Sequence, residues 1–551
     1  MKTSHLVLLL AAFLLIWNVW GYDLWAPDEP YFGEGAREMI SDGHWLVPHV
    51  NGAVTTDKPP LFFWLIAIFS LPFGKVLPLT ARIPSALAML GSVALTMRLG
   101  RRLWGEREGM LAGLILATTY LPWDKARSAQ IDALLCFLIL ASLSAFEAFR
   151  AGDLKGRYAG LLFWGISALA VLAKGPVGII LPFGIALCTL AFDRNLNAWR
   201  NFAPVTGPFL FFILIGSWAL PASLLNGQEY SVWGVLKKHF VERAVYGMHH
   251  KQPFWYYLKV MPVQLLPWTG LVPGAFLLAW KNRRREKWFL MIWAVFVILF
   301  FSISSEKRDL YTLPAFPAFA LLMARLGAPW WRREREKNQP TMQDTAGRRW
   351  ITVPQGIAGG LFLLIGLVLP FAAYLLEREY LVSAIWVAAG MLIGGGWMLV
   401  ASLVKNPRHA IQATAGTFVI TALVMTSIVF PSLNSVKSIR TFALDMKTIT
   451  ADSRAAGNPV LTYYLGNFPQ AIAFYTDGLY TREAQSLTDL EAHVSSPDEV
   501  FVIADAAKLD QLPRALRDRL NILLSHKHHR MEIVLASNRT GEERSSKDHS
   551  L

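Results

Sequence analysis

A chain of 551 residues with 54% hydrophobic and only 17% charged residues, among them 21 Trp and 33 Phe, is too apolar for a soluble globular protein, where about a quarter of residues are charged. Apolar runs roughly 20 residues long recur along it and mark a polytopic helical membrane protein, so the formal net charge of +14 belongs to basic loops rather than to nucleic-acid binding. Cys136 and Cys188 are the only cysteines and both sit inside apolar runs, which argues against a disulfide framework or a cysteine metal site.

The first apolar segment, 5–22, is followed by Trp20, Tyr22 and Trp25 and by no small-x-small cleavage site. It reads as a retained span with an aromatic belt rather than a signal peptide. Further spans are expected at 82–99, 108–122, 129–149, 158–173, 176–192, 203–222, 261–280, 288–303, 309–327, 353–376, 381–403 and 410–431, thirteen in all. Leu61–Phe73 is too short to cross and reads as an interfacial or re-entrant segment. With that segment excluded and the N-terminus inside, the basic clusters all fall on the cytoplasmic side: around Arg101, Arg150, Arg194, Arg284, Arg333 and Lys405. The opposite face collects loop 23–81, the turns at 123–128 and 174–176, loop 223–260, the turn 304–309 and the tail from about 432. That tail carries short β-type runs (Val460–Tyr464, Val500–Ile503, Met531–Leu535) between helical stretches and predicts a small α/β domain, with a disordered end. No internal repeat is visible. The expectation is an all-α polytopic membrane domain over 1–431 and a C-terminal α/β domain over 432–551, acting as a monomer.

The first loop holds the densest charge: Asp23, Asp28, Glu29, Glu34, Arg37, Glu38, Asp42, Asp57 and Lys58. Asp28 and Glu29 are candidates for a carboxylate base; the structural alternative is an N-cap ahead of Pro30. Glu34, Arg37 and Glu38 lie at helical spacing and read as a scaffold-pairing face. Lys58, held by Pro59 and Pro60, presents an ammonium suited to a phosphate; the alternative is snorkelling. Asp132 opens an apolar run and must be paired or used, with Arg127 as a possible structural partner. Lys174, in Ala173-Lys174-Gly175-Pro176, is an isolated cation or a turn residue. The stretch from Lys237 to Lys251 is basic and His-rich, and suits anionic head groups; Pro253-Phe254-Trp255-Tyr256-Tyr257 after it suits an interface belt. His239 with Asp57 could hold a divalent metal, zinc or magnesium. Arg308 could clamp a phosphate in bidentate fashion, against simple capping of the following helix. No nucleotide loop is present: the Gly394–Gly396 run is apolar and lacks the Lys-Ser/Thr pair.

Pro27-Asp28-Glu29, Arg37-Glu38-Met39, Gly43-x-Trp45-x-Val47-Pro48 and Lys58-Pro59 together resemble the first periplasmic loop of the GT-C glycosyltransferases. The group in view is the bacterial protein-mannosyltransferase-like enzymes, including the lipid A aminoarabinose transferases (ArnT). Ala173-Lys174-Gly175-Pro176, Pro253 to Tyr257 and Ser305-x-Lys307-Arg308-x-x-Tyr311-x-Leu313-Pro314 resemble further motifs of that family, over roughly 1–431. The resemblance implies sugar transfer from a polyprenyl (undecaprenyl) phosphate donor on the outer face of the bacterial inner membrane. It implies Asp28 as the essential first-loop acid, Lys58 as the donor-phosphate lysine, Asp132 as the second-loop acid, and His239 with Asp57 as the metal-associated pair. Arg308, Lys174 and Arg243 complete the phosphate-binding candidates, and Tyr31, His250 and Tyr311 the substrate-binding ones. The chain departs from the family where it has Phe32 after Tyr31, Thr55-Thr56 for an aromatic pair, Asp57 for a Glu, and Glu306-Lys307-Arg308 for Lys-Gly-Lys. The donor sugar therefore stays open between 4-amino-4-deoxy-L-arabinose and another. The acceptor stays open between lipid A and a protein or glycan hydroxyl. The rival class is a lipid-linked sugar transporter, which would show intramembrane charges and paired repeats.

Overall fold

The computed structural model describes residues 3–226, 252–281, 285–331, 342–466, 468–528 and 531–539. Contacts divide the chain into two units: Met1–Gly21, Thr56–Phe62 and Arg82–Ser432 in one, Tyr22–Thr55, Phe63–Ala81 and Leu433–Leu551 in the other. Most of the first loop thus groups with the residues after 432.

The first unit is helical, because in a bilayer each apolar run must satisfy its own backbone. Among the described residues eight helices are long and apolar enough to cross, or nine if one bent pair is a single span. That pair, Tyr256–Gln264 and Thr269–Lys281, covers the span expected at 261–280 and turns by 115°. Pro262 and Pro267 stand at the bend, where each removes a backbone donor. The span expected at 108–122 is also broken, into Glu106–Ala117 and Tyr120–Ala126. The Thr118 and Thr119 hydroxyls turn back onto the carbonyls of Leu114 and Ile115, both at 2.6 Å, and the Trp268 indole donates to the Thr118 carbonyl at 3.0 Å. Three other expected spans are short apolar helices, Ser4–Ile16, Val177–Phe192 and Trp288–Ile303, as is the uncounted Leu61–Phe73.

Small residues set the closest helix approaches. A Cβ on Gly359 would lie 2.8 Å from the Gly395 carbonyl oxygen, and one on Gly395 would lie 2.7 Å from that of Gly359. Within the Gly394–Gly396 run, Gly395 packs Leu381–Leu403 against Met342–Leu376, while Gly394 lies against Thr417. Two fully buried arginines close the end of the N-terminal helix: Arg82 donates to the Val19 carbonyl at 2.7 Å and Arg127 to that of Leu14 at 3.1 Å.

The second unit carries a five-stranded sheet in the order β4-β3-β5-β7-β6. Its strands are β3 (Val460–Tyr463), β4 (Arg482–Glu483), β5 (Phe501–Asp505), β6 (Asn521–His528) and β7 (Met531–Ser537). β3 runs parallel to β4 and β5, while β7 is antiparallel to β5 and β6. Alternate side chains feed two cores: Leu461, Val502 and Val534 on one face, Val460, Phe501 and Ile533 on the other. β1 (His49–Val50) and β2 (Ala53–Val54) form a hairpin whose turn residues Asn51 and Gly52 both have positive φ, +60° and +74°. That is the geometry an Asn-Gly pair favours.

Candidate active site

Helices Asp132–Arg150 and Gly156–Lys174 pack along one another, which brings the first residue of one beside the last residue of the other. Lys174 Nζ donates to Asp132 Oδ1, and the two side chains are only 13% and 7% exposed. Gly175 follows with φ +84°, a left-handed turn that lets the chain reverse into Val177–Phe192. The Lys174 ammonium also lies over the Tyr311 ring, 4.7 Å from its centroid. Three sequence candidates, Asp132, Lys174 and Tyr311, therefore form one cluster. Arg127, the possible partner of Asp132 by sequence proximity, is instead engaged with the first helix.

The segment carrying Arg308 and Tyr311 is held from the bent helix pair. Tyr257 donates to the Arg308 carbonyl at 3.2 Å, and Gln264 donates to the Asp309 carbonyl at 2.7 Å while accepting from Thr312 at 3.0 Å. Lys307 turns inward: its ammonium donates to the carbonyls of Gln252 and Ser304, and burial holds its pKa below the usual lysine range. Lys307 is thus a loop staple, and Arg308 is the half-buried cation beside it. Arg308 supplies the N-cap of the 3₁₀ turn Asp309–Ala315 without a side-chain cap bond.

Lys58 donates to the Asp57 carbonyl at 3.1 Å and stands 3.8 Å from its carboxylate. Among the described residues no three His, Cys, Asp or Glu side chains converge. His239, Arg243 and His250 lie outside the described residues.

Asp28, Glu29 and Tyr31 belong to the second unit. Helix Asp28–Ser41 has Pro27 at its N-cap with no side-chain cap bond, so Asp28 is the first residue inside the helix rather than its cap. Glu29 is buried and accepts from the Trp25 amide at 2.9 Å. The Tyr31 hydroxyl meets the Thr55 hydroxyl at 2.8 Å. Glu34, fully buried, takes both Nε and Nη2 of Arg37, at 2.8 and 2.7 Å, which is the scaffold pairing their spacing suggests.

Sequence reasoning passed over one pair close to this chemistry. Lys125 is bound to Asp124 at 2.9 Å. The charges of Asp309 and Asp132 also act on this lysine. The signal was an Asp-Lys step beside Trp123 in a short outer turn.

A family model described as dolichyl-phosphate-mannose-protein mannosyltransferase matches residues 57–219. The undecaprenyl phosphate-alpha-4-amino-4-deoxy-L-arabinose arabinosyl transferase of Aeromonas hydrophila is 30% identical over 383 residues, 68% of this chain and 67% of that protein. Transferase 1 of the same name from Sodalis glossinidius is 30% identical over 397 residues, 70% and 68% of the two chains. The chain belongs to this arabinosyl transferase family. The match to the Aeromonas salmonicida transferase, at 32% identity, spans 55% of each chain, about half the length of that relative. Family membership extends to the fold. The crystal structure of ArnT from Cupriavidus metallidurans bound to undecaprenyl phosphate superposes with a TM-score of 0.74, at 19% identity and 98% of both chains. The archaeal oligosaccharyltransferase AglB from Archaeoglobus fulgidus gives 0.51 at 12% identity, over 92% of this chain and 69% of that one. The architecture is the GT-C type, an integral membrane protein with a small C-terminal α/β domain.

Proposed function

We propose that this protein transfers 4-amino-4-deoxy-L-arabinose from undecaprenyl phosphate to lipid A on the periplasmic face of the bacterial inner membrane. The relation to the curated transferases over two thirds of their length carries this reading. The buried Asp132–Lys174 pair under Tyr311 supports it with residues suited to an anionic sugar donor.

The reaction is a single displacement at the anomeric carbon. The bond from that carbon to the lipid-phosphate oxygen breaks, the phosphate keeps the electron pair, and an acceptor oxygen bonds to the opposite face with inversion. Lys58 and Arg308 neutralise the charge that develops on the leaving phosphate. Asp132 and Lys174 hold the sugar-phosphate junction, with Tyr311 as a wall. An acceptor phosphate on lipid A is already ionised and needs no base, so Asp28 orients it; a hydroxyl acceptor would pass its proton to Asp28.

The test is transfer by purified protein from undecaprenyl phosphate-aminoarabinose to lipid A, read by mass spectrometry. Asp28→Asn and Lys58→Ala are expected to abolish product while the protein still inserts and folds. Full activity in either variant overturns the assignment of that residue, and an inactive wild type with this donor and acceptor overturns the substrates.

A further inference from the structure

A helix with two fully buried acids, Glu34 and Glu38, needs compensation from its surroundings. Part of it comes from within, through Arg37 on Glu34. Further contacts come from the hairpin and, through Arg37, from the C-terminal domain. Glu38 accepts from the Gly52 amide at 3.0 Å. Arg37 donates onward to the Tyr480 hydroxyl at 3.0 Å, and that hydroxyl donates to Asp42 Oδ2 at 2.5 Å. One phenol thus joins the middle of helix Asp28–Ser41 to the residue just past its end.

The neighbouring residue grips the hairpin. The Asn51 carboxamide donates to the Thr481 carbonyl at 3.0 Å and accepts from the Thr481 amide at 3.2 Å, as a strand neighbour would. Gly52 lies against the Tyr480 ring so closely that a Cβ there would sit 3.0 Å from it. At the loop's start Tyr475 donates to the Leu24 carbonyl at 2.6 Å, and Asp23 accepts from Ser438 at 2.8 Å. Two adjacent residues of the C-terminal domain therefore hold both the helix and the hairpin of the first loop, and further tethers fix its entry.

We propose that the C-terminal domain is the positioning element of the first loop: Tyr480, through Arg37 and Asp42, and Thr481, through Asn51, set the place of the helix that begins at Asp28. This rests on the reading of Asp28 as a residue of the reaction. Tyr480 is a positioning residue, acting through Arg37.

The experiment uses the full chain and the double variant Tyr480→Phe with Asn51→Ala, with Tyr480→Phe alone if the double variant does not fold. Asp518→Ala, on the exposed surface of the same domain, is the control. Amide exchange across 28–41 is expected to quicken about tenfold, with kcat about tenfold lower and KM for the lipid-linked sugar within about twofold of wild type. The control should match wild type in all three. Wild-type exchange in 28–41, or wild-type kcat, in the variant overturns the proposal. A wild-type protein that turns over no lipid-linked sugar sinks the functional reading instead, and exchange in the same samples still decides whether 480 and 481 hold the helix.

Discussion

Lys174 and Asp132 are 42 residues apart, and each is costly alone at the end of an apolar helix. Breaking such a buried pair by removing one partner costs about 3–5 kcal/mol, because the other charge is left behind. Loss of activity in a single variant therefore cannot separate chemistry from folding. The swap Asp132→Lys with Lys174→Asp can. It should recover most of the thermal midpoint lost in Asp132→Ala, while transfer stays at least about a hundredfold below wild type. A swapped protein with wild-type turnover would make the pair purely structural. Both residues were visible in the sequence as isolated charges beside apolar runs. Their pairing was not, because it depends on two antiparallel helices being of equal length between Asp132 and Lys174. Sequence proximity pointed to Arg127, which the fold spends on the first helix.

At the scale of elements, the helix that starts at Asp28 carries its own titration. Burial lifts the Glu34 carboxyl from the usual carboxylate range to about 8, even though Arg37, charged throughout, pulls it down; Glu38 adds to the rise and is itself raised by burial. Asp42 and Tyr480 are the other titratable groups on this face, and Tyr480 stays protonated with its pKa near 12. A raised carboxyl binds its proton more tightly folded than unfolded, so its contribution is greatest at low pH and is lost as pH rises from about 4.5 to 8. The thermal midpoint of the wild type should fall across that window, and Glu34→Gln should flatten the slope. An equal slope in the variant would remove Glu34 as its source. The i,i+3 spacing of Glu34 and Arg37 made their pairing legible. The C-terminal domain's part was hidden, since Tyr480 lies 443 residues from Arg37. Three strands were legible as apolar runs, near Val460, Val500 and Met531. β6 was not, because exposed and half-buried positions interrupt its apolar pattern, and β4 is only two residues long.

At the scale of the whole molecule, the ion pairs bear on orientation. Several arginines assigned to cytoplasmic loops are not free charges: Arg102 pairs with Asp153, Arg150 with Glu147 and Asp193, and Arg325 with Glu108. If net charge decided orientation, this pairing would weaken the argument. The bias counts Lys and Arg, and acids contribute little, so these pairs do not alter the expected sidedness. It places Lys155 inside and the C-terminal domain outside. Both positions suit a single reporter thiol, since Lys155 and Asp518 are exposed. In a background with Cys136 and Cys188 replaced by Ser, an impermeant maleimide that crosses the outer membrane only after its permeabilisation should label Asp518→Cys in otherwise intact cells. Lys155→Cys should label only after the inner membrane is opened. The reverse pattern would put Asp132 and Lys174 on the cytoplasmic side, away from lipid A in the outer leaflet, and the proposed acceptor would fall with it.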